Sequence, residues 1–330
     1  MPELPEVETV KNELAPHVLG RKFTGITLLW DSIVKTPSIE EFRSRLIGQK
    51  ITGLSRHGKY LVLKLTGDDW LVIHLKMSGS LLLSRDSKEP PQYTRAVFHL
   101  DRGTSIFFRD PRKFGRAWLV SDWRTVTKNL GPEPLEIDFT PQVLAQRLRN
   151  RKAPVKALLC DQSVIAGIGN MYADEALFAA GINPLRSGAS LTGAEIERLY
   201  QAIQQTLRAA IGNKGASIVN YYRPGGETGT AHFEFKVAHG RGRNCPNCGS
   251  PIQRIPVRNR GTYFCPRCQP GSLVVPEPEG RVLVGHQRHI GADPVRPAVH
   301  ANHQLENAFW IFPGKEKNKT GKDGEKVHQT

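Results

Sequence analysis

The chain has 330 residues, 39% of them hydrophobic, and a formal net charge of +15. This length is sufficient for two or more domains with cores of their own, and no apolar run approaches the roughly 18 residues that a membrane span requires. The excess of positive charge is clustered, which favours a polyanionic partner, most often nucleic acid, over a basic surface kept only for solubility. The N-terminus lacks the basic and then apolar pattern of a signal peptide, so a cytoplasmic protein is expected.

The chain opens with a proline followed by an acidic residue, Pro2-Glu3. Initiator methionine is usually removed ahead of a small residue, which would leave Pro2 with a free secondary amine. The pKa of an α-amino group is about 7.7–8.0, against about 10.4 for lysine, so part of this amine is unprotonated at neutral pH and can form a Schiff base with an aldehyde. Glu3 adds a carboxylate that can act as acid or base. Alone, these residues favour the simpler interpretation, an ordinary proline in a helix-entry turn.

A helix is predicted directly behind this turn. Val7, Val10 and Leu14 fall on one face at helical spacing, and Pro16 is expected to end the helix. From residue 20 to about 125 the chain then gives short apolar runs separated by Gly, Asp and Pro. The even spacing of these runs predicts antiparallel sheets packed as a sandwich or barrel.

The second half of the chain is predicted to be helical. A Pro-rich, acidic break at residues 131–135 is the predicted domain linker. Pro141 opens one predicted helix, and Thr192 with Glu195 forms a capping box at the start of another. Between them, the Gly-x-Gly of residues 167–169 precedes a further helix. Glycines there let backbone N–H groups approach an anion closely, although a lone Gly-x-Gly is weak evidence and no Rossmann pattern surrounds it.

Four of the five cysteines lie in two close pairs. They are Cys245, Cys248, Cys265 and Cys268. Two such knuckles on a hairpin supply four thiolates in a tetrahedron, the closed geometry of one structural zinc ion, whereas a redox pair would need only one knuckle and a βαβ context. Residues 241–268 contain six arginines and no Asp or Glu, so the hairpin is predicted to lie on phosphate. The fifth cysteine, Cys160, lies in an apolar run and is predicted to be a buried packing residue.

Six motifs, in order along the chain, resemble those of the formamidopyrimidine-DNA glycosylases, bacterial enzymes that remove oxidised purines from DNA. They are Met1–Thr9, Arg56–Tyr60, His74–Ser80, Phe108–Arg116, Val164–Ala173 and the cysteine hairpin that ends at Cys268. The resemblance covers residues 1–269, most of the chain. It implies a multidomain α+β fold with structural zinc.

The resemblance also implies how this fold is divided along the chain. A catalytic antiparallel β-sandwich with an N-terminal helix is expected over 1–130, a helical helix-two-turn-helix domain over 131–240, and a zinc-ribbon β-hairpin over 241–269. The last segment, 270–330, lies beyond the resemblance and is expected to be a disordered polar extension. His300 and His303 within it also have a spacing that suits metal.

The resemblance assigns the chemistry to four residues. Pro2 is the expected nucleophile, and Glu3 moves a proton to help open the sugar ring. Lys59 reaches into the active site and takes part in catalysis. Arg260 is expected at the phosphates of the lesion, with Arg258 as its nearest competitor.

The same resemblance assigns residues to DNA recognition. A damaged nucleotide leaves the stack only if one base pair opens. Met77 and Phe114 would plug the resulting hole, and Arg112 would pair with the orphaned base. The alternative interpretation places Met77 and Phe114 in the core and Arg112 in solvent. Asn170 matches a position that contacts phosphate, and Arg151 matches another position that contacts DNA.

The chain departs from the family pattern in three places. The family commonly has a DNA-contacting histidine before the strand at 96–100, and Tyr93 or Arg95 stands there. Residues 214–242 contain many glycines and are predicted to form a mobile loop over the flipped base. Within that segment, Ala231 replaces an expected aromatic residue and His239 stands where tyrosine is common.

The predicted function is a bifunctional DNA glycosylase and AP lyase of base excision repair. It would excise 8-oxoguanine and formamidopyrimidines through a Schiff base on Pro2 with β,δ-elimination. Its partner would be double-stranded DNA with oxidised bases or abasic sites, bound by a monomer associated with the bacterial nucleoid. One alternative is an endonuclease VIII-like enzyme for oxidised pyrimidines. The other is a non-enzymatic zinc-ribbon DNA-binding protein, which would have no use for Pro2, Glu3 or Lys59.

Overall fold

The structure is a computed structural model that describes residues 1–85, 89–218 and 221–271. The helices are α1 (Leu4–Val18), α2 (Ile39–Leu46), α3 (Arg124–Thr127), α4 (Pro141–Leu148), α5 (Val155–Leu159), α6 (Asn170–Ala179) and α7 (Gly193–Gly212). The strands are β1 (Phe23–Leu28), β2 (Val34–Thr36), β3 (Ile51–His57), β4 (Tyr60–Leu65), β5 (Trp70–His74), β6 (Ser80–Arg85), β7 (Thr94–Leu100), β8 (Thr104–Arg109), β9 (Arg116–Val120), β10 (Gln253–Val257) and β11 (Arg260–Phe264). The α+β fold expected from the sequence is confirmed, with a β domain, then helices, then a hairpin.

The first nine strands form two sheets. One has the strand order β1-β7-β8-β6, and the other has the order β2-β9-β5-β4-β3. Neighbouring strands are antiparallel except for the short β2, which pairs with β9 in parallel. The apolar faces of both sheets share one core, which also includes the predicted face of α1. The predicted antiparallel sandwich is therefore correct apart from the β2–β9 pair.

The first helix extends beyond the position where the sequence predicted its end. Pro16 lies inside α1, and the helix continues to Val18, which is fully buried. Proline keeps a helical φ and removes a single backbone donor. The helix runs two residues beyond Pro16, so the prediction that Pro16 ends the helix was wrong.

Helices α4 to α7 pack around a second core, which lies beside the first residues of the chain. Thr140 caps α4, and Thr192 forms the predicted capping box with Glu195 at the start of α7. The hairpin β10–β11 follows and is joined to the helices by Gln269, whose Nε2 donates to the Ile182 carbonyl at 2.8 Å.

Several predictions fall on residues outside the described ranges. The predicted extension is described only for residues 270–271, so the His300 and His303 prediction lies outside them. Residues 219–220 of the predicted mobile loop are also outside. The domain boundaries at 130 and 240 stay predictions. No helix in the described part of the chain is long and apolar enough to cross a membrane.

Candidate active site and DNA-binding surface

The carboxylate of Glu3 lies at the N-terminus of α6. Its Oε2 accepts a hydrogen bond from the Gly169 N–H at 2.7 Å, and its Oε1 accepts one from the Met171 N–H at 3.1 Å. The backbone N–H of Glu3 in turn donates to Glu6 Oε2 at 2.7 Å at the start of α1. Helix N-termini hold anions through free N–H groups and the helix dipole. Glu3 is only 2% exposed, so these backbone donors fix its position.

The two glycines of the Gly-x-Gly motif make this contact possible. Gly167 has a φ of +85°, and a Cβ there would lie 2.8 Å from the Cβ of Leu4. A Cβ on Gly169 would lie 2.4 Å from the Cδ of Glu3. The sequence predicted an anion close to these backbone amides. At Gly169 the structure identifies that anion as the protein's own Glu3 carboxylate.

A cavity of about 350 Å³ opens beside Pro2 and Glu3. Its described lining residues include Met1, Pro2, Glu3, Met77, Arg112, Asn170, Ile218, Tyr221, His239 and Arg260. Six of the residues predicted to act in catalysis or DNA binding therefore meet in one place. Pro2 is buried and still carries Met1, so its amine becomes available only once Met1 is removed.

Lys59 lies in the turn between β3 and β4 and is 5% exposed. Burial lowers the pKa of Lys59, and the negative charge of Glu3 acts in the opposite direction. The Arg260 guanidinium lowers the same pKa further. The lysine thus lies within the electrostatic range of both Glu3 and Arg260, although it does not line the cavity among the described residues.

The turn that carries Lys59 is held by the segment predicted to be a linker. Glu133 is 6% exposed, and its Oε2 accepts from the Gly58 N–H at 2.7 Å. Its Oε1 accepts from Arg56 Nη1 at 2.8 Å, while Arg56 Nε donates to Glu8 at 2.9 Å. Sequence analysis missed Glu133, because an acidic residue in a Pro-rich break gives no local sign of burial. This segment is part of the site and not only a connection.

Glu6 is a second buried acid that sequence analysis did not assign to the site. It is fully buried, accepts from the Tyr172 hydroxyl at 2.5 Å, and accepts from the Ala216 N–H at 2.7 Å. Burial raises the pKa of Glu6 to about 6, and the charge of Glu3 acts in the same direction. Its helical position suggested only an interaction with the helix dipole. In the folded chain it connects Glu3 to the segment after α7.

Asn170, the first residue of α6, joins that helix to the hairpin. Its Nδ2 donates to the Gly261 carbonyl at 2.8 Å, and no described residue pairs with its buried Oδ1. Behind it, the buried Lys156 donates to the Asn170 carbonyl at 2.5 Å and forms an ion pair with Asp174. Arg151 lies apart, on the exposed turn that follows α4.

Met77 and Phe114 are each 43% exposed, so the alternative that placed them in the core is wrong. The Arg112 guanidinium lies 5.0 Å from the centroid of the Phe114 ring. The backbones below these side chains are fixed by Asp110, which is fully buried and accepts from the Gly115 N–H at 2.7 Å. Asp110 also accepts from the hydroxyl of Ser78, the residue after Met77. Exposed side chains therefore stand on a rigid base, and we call Met77, Arg112 and Phe114 the wedge.

Tyr93 and Arg95 have different surroundings. Arg95 Nε donates to the Asp110 carbonyl at 2.8 Å, which supports the backbone of the wedge. Tyr93 is 42% exposed, and the Arg109 guanidinium lies 5.5 Å from its ring centroid. Tyr93 is therefore the more accessible of the two for contact with a ligand.

The two departures after α7 also differ in position. Ala231 is 2% exposed and does not line the cavity beside Pro2 among the described residues. His239 does line it, with its ring centroid 5.6 Å from that of Tyr263. Burial and the nearby N-terminal amine lower the pKa of His239, whereas Glu3 raises it. Of these two positions, His239 alone lines the cavity beside Pro2 among the described residues.

The four cysteines of the hairpin converge as predicted. Their sulfur atoms all lie within 4.8 Å of one another. Cys245 Sγ lies 3.7 Å from Cys268 Sγ, and Cys248 Sγ lies 3.4 Å from Cys265 Sγ. A tetrahedron with zinc–sulfur bonds of about 2.3 Å has sulfur–sulfur edges of about 3.8 Å. The residues present fit one structural zinc ion.

The hairpin arginines occupy distinct positions. Arg260, at the start of β11, is exposed and lines the cavity that contains Pro2 and Glu3. Arg258 and Asn259 form the turn of the hairpin with φ values of +44° and +62°. Arg258 does not line that cavity within the described part of the chain. Of the two arginines, Arg260 alone lines the cavity beside the candidate nucleophile among the described residues.

A β-sandwich, a helical region and a four-cysteine hairpin thus meet around an N-terminal proline and a buried carboxylate. This arrangement defines the class of zinc-finger proteins with a helix-two-turn-helix domain. Three family profiles match the chain: Formamidopyrimidine-DNA glycosylase N-terminal domain over residues 1–117, Formamidopyrimidine-DNA glycosylase H2TH domain over 130–221, and Zinc finger found in FPG and IleRS over 244–271. The chain belongs to the formamidopyrimidine-DNA glycosylase family.

Individual relatives agree with this assignment. The chain is 46% identical to Formamidopyrimidine-DNA glycosylase of Chloroflexus aurantiacus over 84% of its own length and all of the relative. It resembles the structure of Lactococcus lactis Fpg in complex with abasic-site DNA, with a TM-score of 0.77 and 35% identity over 82% of this chain and 100% of that chain. The MutM (Fpg) protein of Thermus thermophilus gives a TM-score of 0.74 and 39% identity, over 81% and 98% of the two chains. Membership of this family sets aside the non-enzymatic alternative.

Proposed function

We propose that this protein is a DNA glycosylase for oxidised purines that also cleaves abasic sites. A mutant of Lactococcus lactis Fpg was crystallised with Fapy-dG containing DNA, and Lactococcus lactis Fpg was crystallised with abasic-site DNA, which supports both kinds of substrate. The convergence of Pro2, Glu3 and Arg260 on one cavity is the observation that carries the proposal. The protein would act as a monomer on chromosomal DNA in the nucleoid.

In the proposed reaction, the Pro2 amine attacks C1′ of the damaged nucleotide. Glu3 delivers a proton that helps to open the sugar ring, and the bond from C1′ to the base breaks. The product is an iminium ion, which carries a positive charge at every pH because the proline nitrogen is fully substituted. This charge acidifies the C2′ protons, so the 3′ phosphate and then the 5′ phosphate leave by β- and δ-elimination.

Lys59 and Arg260 would support these steps in different ways. Because burial lowers the pKa of Lys59, a larger fraction of its amine is neutral and able to accept a proton. Arg260 would hold a phosphate beside the lesion through charge-assisted hydrogen bonds. The zinc ion would stabilise the hairpin that carries Arg260, and no bond-breaking step requires it.

Trapping with borohydride tests the covalent step. Reduction of the enzyme bound to abasic-site DNA should give a stable protein–DNA adduct, and peptide mapping should locate it at Pro2. Lys59 carries the second amine close to the site, so Lys59→Ala is the matched control. This variant should still form the adduct at Pro2. An adduct that maps to Lys59 in the wild type would overturn the assignment of Pro2.

Salt dependence tests the proposed phosphate contacts. Arg260→Ala and Arg151→Ala should each reduce the slope of log K against log salt by roughly one unit, because one phosphate contact is lost. Arg124→Ala is the control, since Arg124 is an exposed arginine of α3 outside the cavity lining, and it should keep the wild-type slope. An unchanged slope in Arg260→Ala would remove that residue from the phosphate contacts.

Lesion preference distinguishes the proposed function from the endonuclease VIII-like alternative. We propose that the protein prefers 8-oxoguanine opposite cytosine and formamidopyrimidines to thymine glycol, because its relatives are formamidopyrimidine-DNA glycosylases. Single-turnover excision on duplexes that differ only in the lesion measures this preference. Faster removal of thymine glycol would favour the alternative.

A further inference from the structure

A second cavity, of about 480 Å³, lies on the other side of Met77 from Pro2. It is lined by Lys35, Lys76, Met77, Phe114, Arg116 and Trp118. Met77 lines this cavity as well as the one that contains Pro2. The wedge therefore separates two cavities, and only the first holds the candidate nucleophile. We call the second one the basic cleft.

The basic cleft concentrates positive charge beside aromatic surface. Three of its six described lining residues are cationic and none carries a carboxylate. Arg116 is fixed, since its Nη1 donates to the Gly115 carbonyl at 2.7 Å and its guanidinium lies 5.0 Å from the Trp30 ring centroid. Burial and the charge of Arg116 lower the pKa of Lys76. Cations that crowd one another in this way are stabilised by a bound anion.

The position of the basic cleft indicates which DNA strand would supply the bound anion. Under the proposed function, the damaged nucleotide occupies the cavity beside Pro2, and the wedge fills the space that its base leaves. Arg112, which lines the first cavity, would contact the orphaned base. The surface beyond Phe114 then faces the strand that stays stacked.

We propose that the basic cleft binds two consecutive phosphates of the undamaged strand, next to the orphaned nucleotide. Lys35 and Arg116 would contact the phosphate oxygens, while the Phe114 and Trp118 rings would pack against the intervening deoxyribose. This contact anchors the undamaged strand while the other strand is distorted. The proposal rests on the proposed function, because it takes the direction of the wedge from it.

The test combines methylphosphonates, which are uncharged analogues of the DNA phosphates, with the substitution Lys35→Ala. A duplex with a stable abasic-site analogue is made in three forms: unmodified, with two methylphosphonates in the undamaged strand opposite the analogue, and with two in the damaged strand. For the wild type, each neutralised contact should weaken binding roughly eight-fold at 0.1 M salt, from a slope of about 0.9 per phosphate. Lys35→Ala should weaken binding to the unmodified duplex and should show a reduced loss with methylphosphonates in the undamaged strand only.

Lys64→Ala is the matched control, because Lys64 also lies beside a tryptophan on the same sheet, 5.7 Å from the Trp70 ring centroid, but does not line the cleft. It should keep the wild-type response to all three duplexes. Lys35 is exposed, so its substitution leaves the fold intact.

Two outcomes would overturn the proposal. In one, Lys35→Ala keeps the full loss with methylphosphonates in the undamaged strand. In the other, its response changes only for the damaged strand, which would assign the cleft to that strand. Excision and borohydride trapping by the wild type are measured on unmodified duplexes in parallel. If the wild type neither excises the lesion nor forms the borohydride adduct, the proposed function is wrong. If it does both, but Lys35→Ala responds to methylphosphonates as the wild type does, only the proposal for the basic cleft is wrong.

Discussion

Glu3, Glu6 and Lys59 form a buried group that we call the corner. The corner and the exposed wedge differ in how their side chains are held. Glu3 and Lys59 are 2% and 5% exposed, and Glu3 is held by backbone donors from α6. Met77 and Phe114 are both 43% exposed, although buried Asp110 fixes the backbone beneath the wedge. In the corner, the side chains are held in place by the protein itself before a ligand binds. In the wedge, only the backbone is held in this way.

This difference suggests a division of work. Preorganised groups in a water-poor site are effective in stabilising charge that develops in a reaction. Exposed flexible or aromatic side chains on a rigid base can enter a base stack without reorganising the protein around them. Changes in the corner should therefore affect bond breaking, and changes in the wedge should affect recognition of the base pair.

Glu3→Gln should give the largest effect, and it should act on bond breaking instead of on recognition of the opposite base. Excision of intact 8-oxoguanine should fall by roughly 10²–10⁴-fold, the usual contribution of a positioned acid or base. Cleavage at preformed abasic sites should persist in part, because no glycosidic bond remains to be broken. Single-turnover rates on both substrates check this, with Glu40→Gln, an exposed glutamate of α2, as the control. Equal losses on both substrates would contradict the assignment of Glu3 to opening the sugar ring of an intact nucleotide, because an abasic site reaches its open-chain aldehyde without that help.

Cys265→Ser tests whether the corner depends on the hairpin that supplies Arg260. The wild type should contain one zinc ion per chain by elemental analysis, since the four sulfur atoms fit tetrahedral coordination. The variant should lose zinc, and its DNA affinity should fall by about ten-fold or more because folding of the hairpin depends on metal. The β domain should stay folded by circular dichroism. Cys160→Ser, at a buried thiol outside the cluster, should retain zinc.

Arg112→Ala tests whether the wedge recognises the orphaned base. The guanidinium offers donors that suit the acceptors of an orphaned cytosine, whereas adenine presents an amino donor. The preference for 8-oxoguanine opposite cytosine over adenine should therefore fall by roughly 1–3 kcal/mol, while cleavage of abasic sites is retained. Excision rates on matched duplexes measure this, and Lys113→Ala provides a neighbouring exposed cation as the control. Equal wild-type rates opposite the two bases would exclude this role for Arg112.

Glu6→Gln tests the energetics of the corner through pH and gives the smallest effect. The pKa of Glu6 is raised by burial from 4.5 to about 6, so between these values the folded chain binds a proton that the unfolded chain has released. The contribution of Glu6 to stability is therefore fully present below pH 4.5 and is lost as the pH rises through 6. The difference is at most about 2 kcal/mol, from 1.36 kcal/mol per pKa unit.

Denaturant unfolding of wild type and Glu6→Gln across this pH range measures the difference between their free energies of unfolding. Glu40→Gln should show the same pH profile as the wild type. A difference between wild type and Glu6→Gln that does not change with pH would show that Glu6 does not titrate in this window.

Several features were predictable from the sequence because short-range patterns encode them. The face of α1, the capping box of Thr192 and the cysteine spacing of the hairpin all depend on residues a few positions apart. Local spacing determines which side chains share a helix face or lie in one Cys-x-x-Cys pair. These features can therefore be predicted without knowledge of the fold. The roles assigned to Pro2, Glu3, Lys59 and the DNA-binding residues stay predictions.

Other features were decided only by the tertiary structure. The donors to Glu3 come from residues 169 and 171, the brace of the Lys59 turn comes from Glu133, and the basic cleft combines strands that are distant in sequence. Pro16 continues a helix that its local pattern should have ended. Each of these outcomes depends on which surfaces are buried together when the sheets and helices pack. Hydrophobic periodicity determines that a face is buried, but it does not determine which partner covers that face.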